Sequence, residues 1–215
     1  MIDLKPYFIT VPRAYKEGTV EAFEQTVTLA APPARATLAI TALGVYEAAV
    51  NGQKAGDVLL APGYTYYPHN LHAQAYDVTA LLGAGENTLR VLLGQGWYCG
   101  RFTFENKTQI YGEAPAAAWA LDIETAGGEA LRVTSADETV RAVQSPYAYA
   151  GLYDGEEFFA DGGPDEVLQP VPYAGALPDV IEESVVYVRL REELPVVSVT
   201  KRDDGYLLDF GQNFA

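Results

Sequence analysis

The sequence has a single cysteine, Cys99, so no disulfide can form within the chain. Its only histidines are His69 and His72. One thiol and a lone histidine pair fall short of the four ligands of a structural zinc site. Basic residues are scarce: 14 Lys and Arg stand against 29 Asp and Glu, for a net charge of −15. Nucleic acids and anionic membranes both attract a basic surface, so neither is expected as a partner. No stretch approaches the ~18 apolar residues of a membrane span. The start, MIDLKPYFITVPRAY, lacks a basic segment followed by a continuous apolar one. A soluble, cytoplasmic protein is the expectation from these absences. Helical periodicity is nearly absent too, which removes bundles and doubly wound α/β folds from consideration.

What is present reads as many short strands. Hydrophobic residues make up 49% and charged residues 20%, enough apolar material for a packed core without staples. Tyrosine, at 15 residues, and β-branched types fill runs that are punctuated by Gly, Pro, Asn and Asp. Phe23, Val27 and Leu29 alternate with Glu24, Thr26 and Thr28. Residues 35–40 and 45–51 follow as strands, and Asn51-Gly52 predicts a type I′ hairpin turn with residues 54–60 returning. Residues 72–78 read as a strand, with Asp77 capping one helical turn over 79–82. The run 88–93 is apolar enough to be buried, and no helix is expected after Gly94-Gln95-Gly96. Ala117, Trp119, Leu121 and Ile123 alternate as a half-buried strand, which Gly127-Gly128 turns back into 131–134. Residues 153–159, 185–191, 195–201 and 206–210 complete the strand candidates. The spacing predicts an all-β protein, an antiparallel β-sandwich of jelly-roll type with a C-terminal β tail; a closed barrel is the alternative.

Candidate chemistry is sparse. Glycoside hydrolysis needs two facing carboxylates, and Asp154, Glu156 and Glu157, or Glu86 and Asp77, are the available acids. Nothing else in the pattern distinguishes them from solvated turn residues, so no catalytic residue is assigned. A metal ligand set is likewise unassigned and no cofactor is required; calcium is the one cation that an acidic loop with Asp77, Glu86 and Asn87 suits. Sugar binding has more physical content, because aromatic rings match the flat C–H faces of pyranoses and planar polar groups bond the hydroxyls. Trp97 and Tyr98 lie in a glycine-flanked segment, Arg101 follows, Asn106 and Tyr111 share the next connection, and Tyr64 lies in a tyrosine-rich loop. The bland alternative is that Trp97 plugs one end of the sandwich.

Six ordered segments together resemble the N-terminal region of bacterial α-L-rhamnosidases: ITALGVYEAAVNGQKAGD (40–57), LAPGYTYY (60–67), YDVTALLGAGENTL (76–89), VLLGQGWYCGRF (91–102), YGEAPAAAWALDI (111–123) and GLYDGEEFFA (151–160). The final DFGQNFA (209–215) resembles the start of the next β domain of those enzymes. The chain departs from the family where a tryptophan is usual near Val140, and where PGWTDY is common in place of PGYTYY. The resemblance implies a galactose-binding-domain-like sandwich, truncated before a catalytic (α/α)-barrel domain that carries the acid and base. Its implied partners are that catalytic domain and rhamnose-containing carbohydrate, with a purely structural scaffold as the rival role. On this reading residues 1–19 are irregular, 20–162 form the sandwich, 163–184 are a linker or extended wrap, and 185–215 begin a further β domain. Removal of residues 180–215 is then expected to leave the sandwich folded.

Overall fold

The computed structural model describes residues 3–161, 165–182 and 187–213. Its strands in chain order are β1 (Ile9–Thr10), β2 (Val20–Leu29), β3 (Pro33–Leu43), β4 (Val45–Val50), β5 (Gln53–Lys54) and β6 (Asn70–His72). Then come β7 (Gln74–Asp77), β8 (Gly85–Gly94), β9 (Ala116–Thr125), β10 (Ala130–Thr134), β11 (Arg141–Val143) and β12 (Tyr147–Gly151). The last are β13 (Gly155–Phe158), β14 (Val167–Leu168), β15 (Val171–Pro172), β16 (Asp179–Ile181), β17 (Ser198–Arg202) and β18 (Gly205–Asp209). One sheet has the order β15-β1-β9-β3-β7 with β10 also on β9, and the other runs β14-β11-β2-β8-β4-β5. Their pairings are antiparallel, as the alternating pattern implies.

The two sheets enclose a core of alternate residues: Phe23 and Val27 from β2, Leu38 and Ile40 from β3, Val91 and Leu93 from β8, Trp119 and Leu121 from β9. The half-buried reading of 117–123 needs correction. Ala116, Ala118 and Ala120, on the other face of β9, are buried as well, under a second layer with Leu4, Phe8, Tyr67, Leu71 and Tyr98. Small side chains on that face leave room for the large ones above, as close packing requires. The first residues are irregular only in part. Leu4, Phe8, Ile9 and Val11 are buried, and β1 bridges β9 and β15.

The Asn51-Gly52 turn forms as read: φ is 51° at Asn51 and 76° at Gly52, and Val50 pairs with Gln53. The return strand is shorter than residues 54–60. The chain leaves the sheet after Lys54, because Leu59 N–H donates to Val188 at 2.8 Å and Tyr46 N–H reaches back to Ala61 at 2.7 Å. Asp77 caps the short turn Thr79–Leu81, accepting from Thr79 N at 3.0 Å and its hydroxyl at 2.6 Å. Against expectation, residues 96–99 form one helical turn, α1 (Gly96–Cys99). Tyr153 and Asp154 belong to the turn of the β12–β13 hairpin rather than to a strand.

Residues 165–182 run as an extended wrap. They add β14 to β11, β15 to β1 and a parallel pairing of β16 with β6. The strand candidate at 185–191 falls partly on 183–186, which lie outside the described residues; Val188 bridges Leu59. The last strand, β18, finds its partner within the chain, in β17.

Asn87 is spent on this framework. Its Oδ1 accepts from Asn51 Nδ2 at 2.9 Å and Gly83 N at 2.8 Å, and its Nδ2 donates to Gly83 O at 2.9 Å and Gly85 O at 3.0 Å. Truncation of this buried amide to alanine would leave several part-buried partners unpaired, so Asn87→Ala is expected to lower stability by about 1–3 kcal/mol in urea unfolding. A loss below ~0.5 kcal/mol would show that water replaces the amide.

Candidate functional site

The site candidates sit at one end of the sandwich, where β8 runs into α1 and the loop after it meets the 60–73 loop. Tyr64 is the hub. Its ring lies 5.9 Å from Trp97, 5.8 Å from Phe102 and 6.1 Å from Tyr67 between centroids, in tilted or edge contacts of the kind aromatic quadrupoles favour. Its hydroxyl shares a 2.8 Å hydrogen bond with that of Tyr111. That bond first, and burial second, push the Tyr111 phenol up to about 12, so its hydroxyl stays protonated at neutral pH. Tyr64 is nevertheless 51% exposed, and Tyr66 and Phe104 in the same two loops are exposed as well. Three of the expected sugar-contact residues, Tyr64, Trp97 and Tyr111, therefore form one aromatic platform. Phe102 and Tyr67 complete it. Tyr67 belongs to the tyrosine-rich loop that the sequence singles out, whereas Phe102 was missed for want of any periodic signal in its loop.

The other three expected residues do not join it. Tyr98 is 4% exposed; it packs on Tyr67 at 5.2 Å and its hydroxyl meets that of Tyr173 at 2.9 Å. It is core, held there because α1 turns its side chain inward onto β9. Asn106 is exposed in the turn at 103–106, with φ of 57°. Arg101 pairs with Asp154 in the β12–β13 turn, and Tyr149 donates to the same carboxylate at 3.0 Å.

The carboxylates do not assemble either. Asp154 is engaged by Arg101 and Tyr149, while Glu156 and Glu157 are exposed neighbours on β13 and so point to opposite faces. Glu86 and Asp77 lie in different sheets, Glu86 paired with Thr28 on β2 and Asp77 with Thr37 on β3. Among the described residues no group of three or more His, Cys, Asp or Glu gathers in metal-binding proximity. Burial pushes the Cys99 thiol up to about 12, so it is not a nucleophile near neutral pH. His69 lies against the Tyr66 ring at 4.9 Å.

A cavity of about 640 Å³ opens beside the platform, between the β12–β13 hairpin and the end of the sandwich. Its walls include Glu17, Leu60, Gln95, Arg101, Tyr149 and Phe158. The hairpin is seated by Ala150 N–H donating to Gly18 O at 2.8 Å, with the Tyr149 ring lying where a Cβ on Gly18 would stand. Gly18 has φ of +76°, so the position asks for glycine on both counts. Gln95, buried, fixes the same segment by accepting from Gly18 N at 2.9 Å and donating to Lys16 O at 2.7 Å. Of these residues only Arg101 was a sequence candidate. The alternation Tyr147, Tyr149 around a glycine-bounded turn to Phe158 was the available signal for the hairpin.

The profile of the family described as "Alpha-L-rhamnosidase N-terminal domain" matches residues 31–166. An alpha-L-rhamnosidase of Streptomyces avermitilis is 38% identical over 193 residues, taking in 83% of this chain and 18% of its own length. Among solved structures, the native enzyme from Aspergillus terreus superimposes with a TM-score of 0.83 at 28% identity, over 96% of this chain and 26% of that one. The Streptomyces avermitilis alpha-L-rhamnosidase complexed with L-rhamnose does so with a TM-score of 0.81 at 32% identity, over 92% of this chain and 20% of that one. The chain thus spans 18% to 26% of the length of these relatives.

Proposed function

The chain belongs to the family of α-L-rhamnosidase N-terminal domains, and from that premise we propose that it is a non-catalytic β module of a longer α-L-rhamnosidase. In this reading it braces the catalytic part of the protein and contacts rhamnose-containing carbohydrate. The observation that carries the reading is the aromatic platform. Tyr64, Trp97, Phe102 and Tyr111 are locked to one another, yet Tyr64, Tyr66 and Phe104 remain in solvent. Exposed aromatic groups of this size mark contact surfaces for proteins or sugars. The Streptomyces avermitilis relative with bound L-rhamnose supports the carbohydrate part. A general acid needs a carboxyl held next to a second carboxylate across a cleft. The scattered acids described above support a non-catalytic role instead.

The test is a titration with L-rhamnose, with and without calcium, followed by tryptophan emission. Trp119 is buried at the centre of the core, so a change reports on Trp97, in the platform. A saturable change at about millimolar sugar is the expected result. No change at tens of millimolar would leave bracing as the sole role. Turnover of an aryl α-L-rhamnoside by the chain alone would overturn the non-catalytic reading.

A further inference from the structure

The cavity under the β12–β13 hairpin is chemically unlike the platform. It continues into a second hollow of about 400 Å³, and the two share Val45, Leu60, Gly94, Ala150 and Glu156 as lining. The result is a trough with two lobes, within the size range of small-molecule sites. The inner lobe is polar at its end. Arg101 borders it with a guanidinium that Asp154 holds from one side, while Arg101 Nε lies 3.9 Å from Glu17 and has no hydrogen-bond partner. Gln95 and Tyr149 line the same end. The outer lobe is mostly apolar: Leu59, Leu60, Leu92, Tyr147 and Val188 form its walls beside Glu47, Lys54 and Glu156, with Leu59, Leu60 and Val188 partly in solvent.

We infer that this trough is a binding site for a glycoside of an uncharged sugar bearing an apolar aglycone. The sugar lies in the inner lobe, where Arg101, Gln95 and Tyr149 offer planar and hydroxyl hydrogen-bonding groups. The aglycone lies in the outer lobe against Leu60 and Val188, removing apolar surface from water. Charge decides against an acidic sugar. Asp154 and Glu17 both face the guanidinium of Arg101, and Glu156 is a further carboxylate in the cavity lining, on a chain of net charge −15. A uronate there meets repulsion that Arg101, already paired, does not offset. The site adjoins the aromatic platform but none of the platform's rings lines it, and it rests on the reading of the chain as a carbohydrate-associated module.

Amide chemical-shift mapping of the full chain tests it, with 4-nitrophenyl α-L-rhamnopyranoside, methyl α-L-rhamnopyranoside and 4-nitrophenyl β-D-glucuronide as probes. The expected result is shifts clustered at residues 94–101 and 147–158. The neutral aryl glycoside should bind about tenfold more tightly than the methyl glycoside, and the glucuronide more weakly than either. Leu60→Arg, on a half-exposed rim, should abolish the aryl preference while leaving the amide spectrum otherwise folded. Arg101→Met should weaken binding of both neutral probes. Shifts confined to the platform loops at 64–67 and 102–111 would overturn the trough site while the carbohydrate reading stands. Absence of any shift at tens of millimolar would overturn both.

Discussion

Trp119→Ala is expected to remove about 3–5 kcal/mol of stability, the range for truncating a large aromatic in a packed core. Trp119 is fully buried on β9, pairs across to Ile40 on β3, and touches Phe23 of the opposite sheet at 5.9 Å. Its indole N–H donates to Gln25 Oε1 at 2.8 Å, and Gln25 Nε2 donates on to Thr134 O at 2.9 Å. One side chain therefore joins both sheets by packing and by a buried polar link. Alanine leaves a void and an unpaired carbonyl on Gln25, itself buried. A domain is stable by only about 5–15 kcal/mol in total, so the variant should unfold at markedly lower urea. Trp119→Phe keeps most of the volume and loses the hydrogen bond, so it should cost about 1–3 kcal/mol. Urea unfolding followed by far-ultraviolet circular dichroism measures both. A loss below ~1 kcal/mol for the alanine variant would mean that the core relaxes into the void.

Removal of residues 1–11 is expected to abolish cooperative folding, whereas removal of 192–215 should barely change it. The first cut takes Leu4, Phe8, Ile9 and Val11, each under 5% exposed, from both hydrophobic clusters. At roughly 1.5–3 kcal/mol per buried side chain the loss is on the order of the whole stability. It also exposes the edge of β9 and leaves β15 without a partner. The second cut takes β17 and β18, whose residues are all exposed, Val199, Tyr206, Leu207 and Leu208 among them. A cut at 180 is less benign than the sequence suggests. Val180 packs on the second cluster, Tyr187 on the first, and Arg189 pairs with Asp57 at 2.8 Å, and all three are lost with that cut. Thermal melting of the two truncations is the measurement. A cooperative transition in the chain lacking 1–11 would show that the second layer is dispensable, and loss of the transition without 192–215 would make the tail part of the core.

The sequence by itself determined the elements whose cause is local. Alternation in β2 and β8, positive φ at Asn51-Gly52 and the Asp77 cap all follow from residues within a few positions of one another. The ordered motifs added the family, because composition and spacing recur together in it. What only the tertiary structure decided was which side of a strand is covered, and by what. Ala116, Ala118 and Ala120 read as the open face of a half-buried strand because alanine does not declare its environment. They are buried because Tyr67, Leu71 and Tyr98 arrive from segments distant in sequence. The candidate site divided for the same reason. Trp97, Tyr98 and Arg101 lie within five positions, and one turn of helix sends them three ways: to the platform, to the core and to the Asp154 hairpin. A side chain's direction is set by backbone geometry and its fate by what that direction meets, and the second quantity is not local.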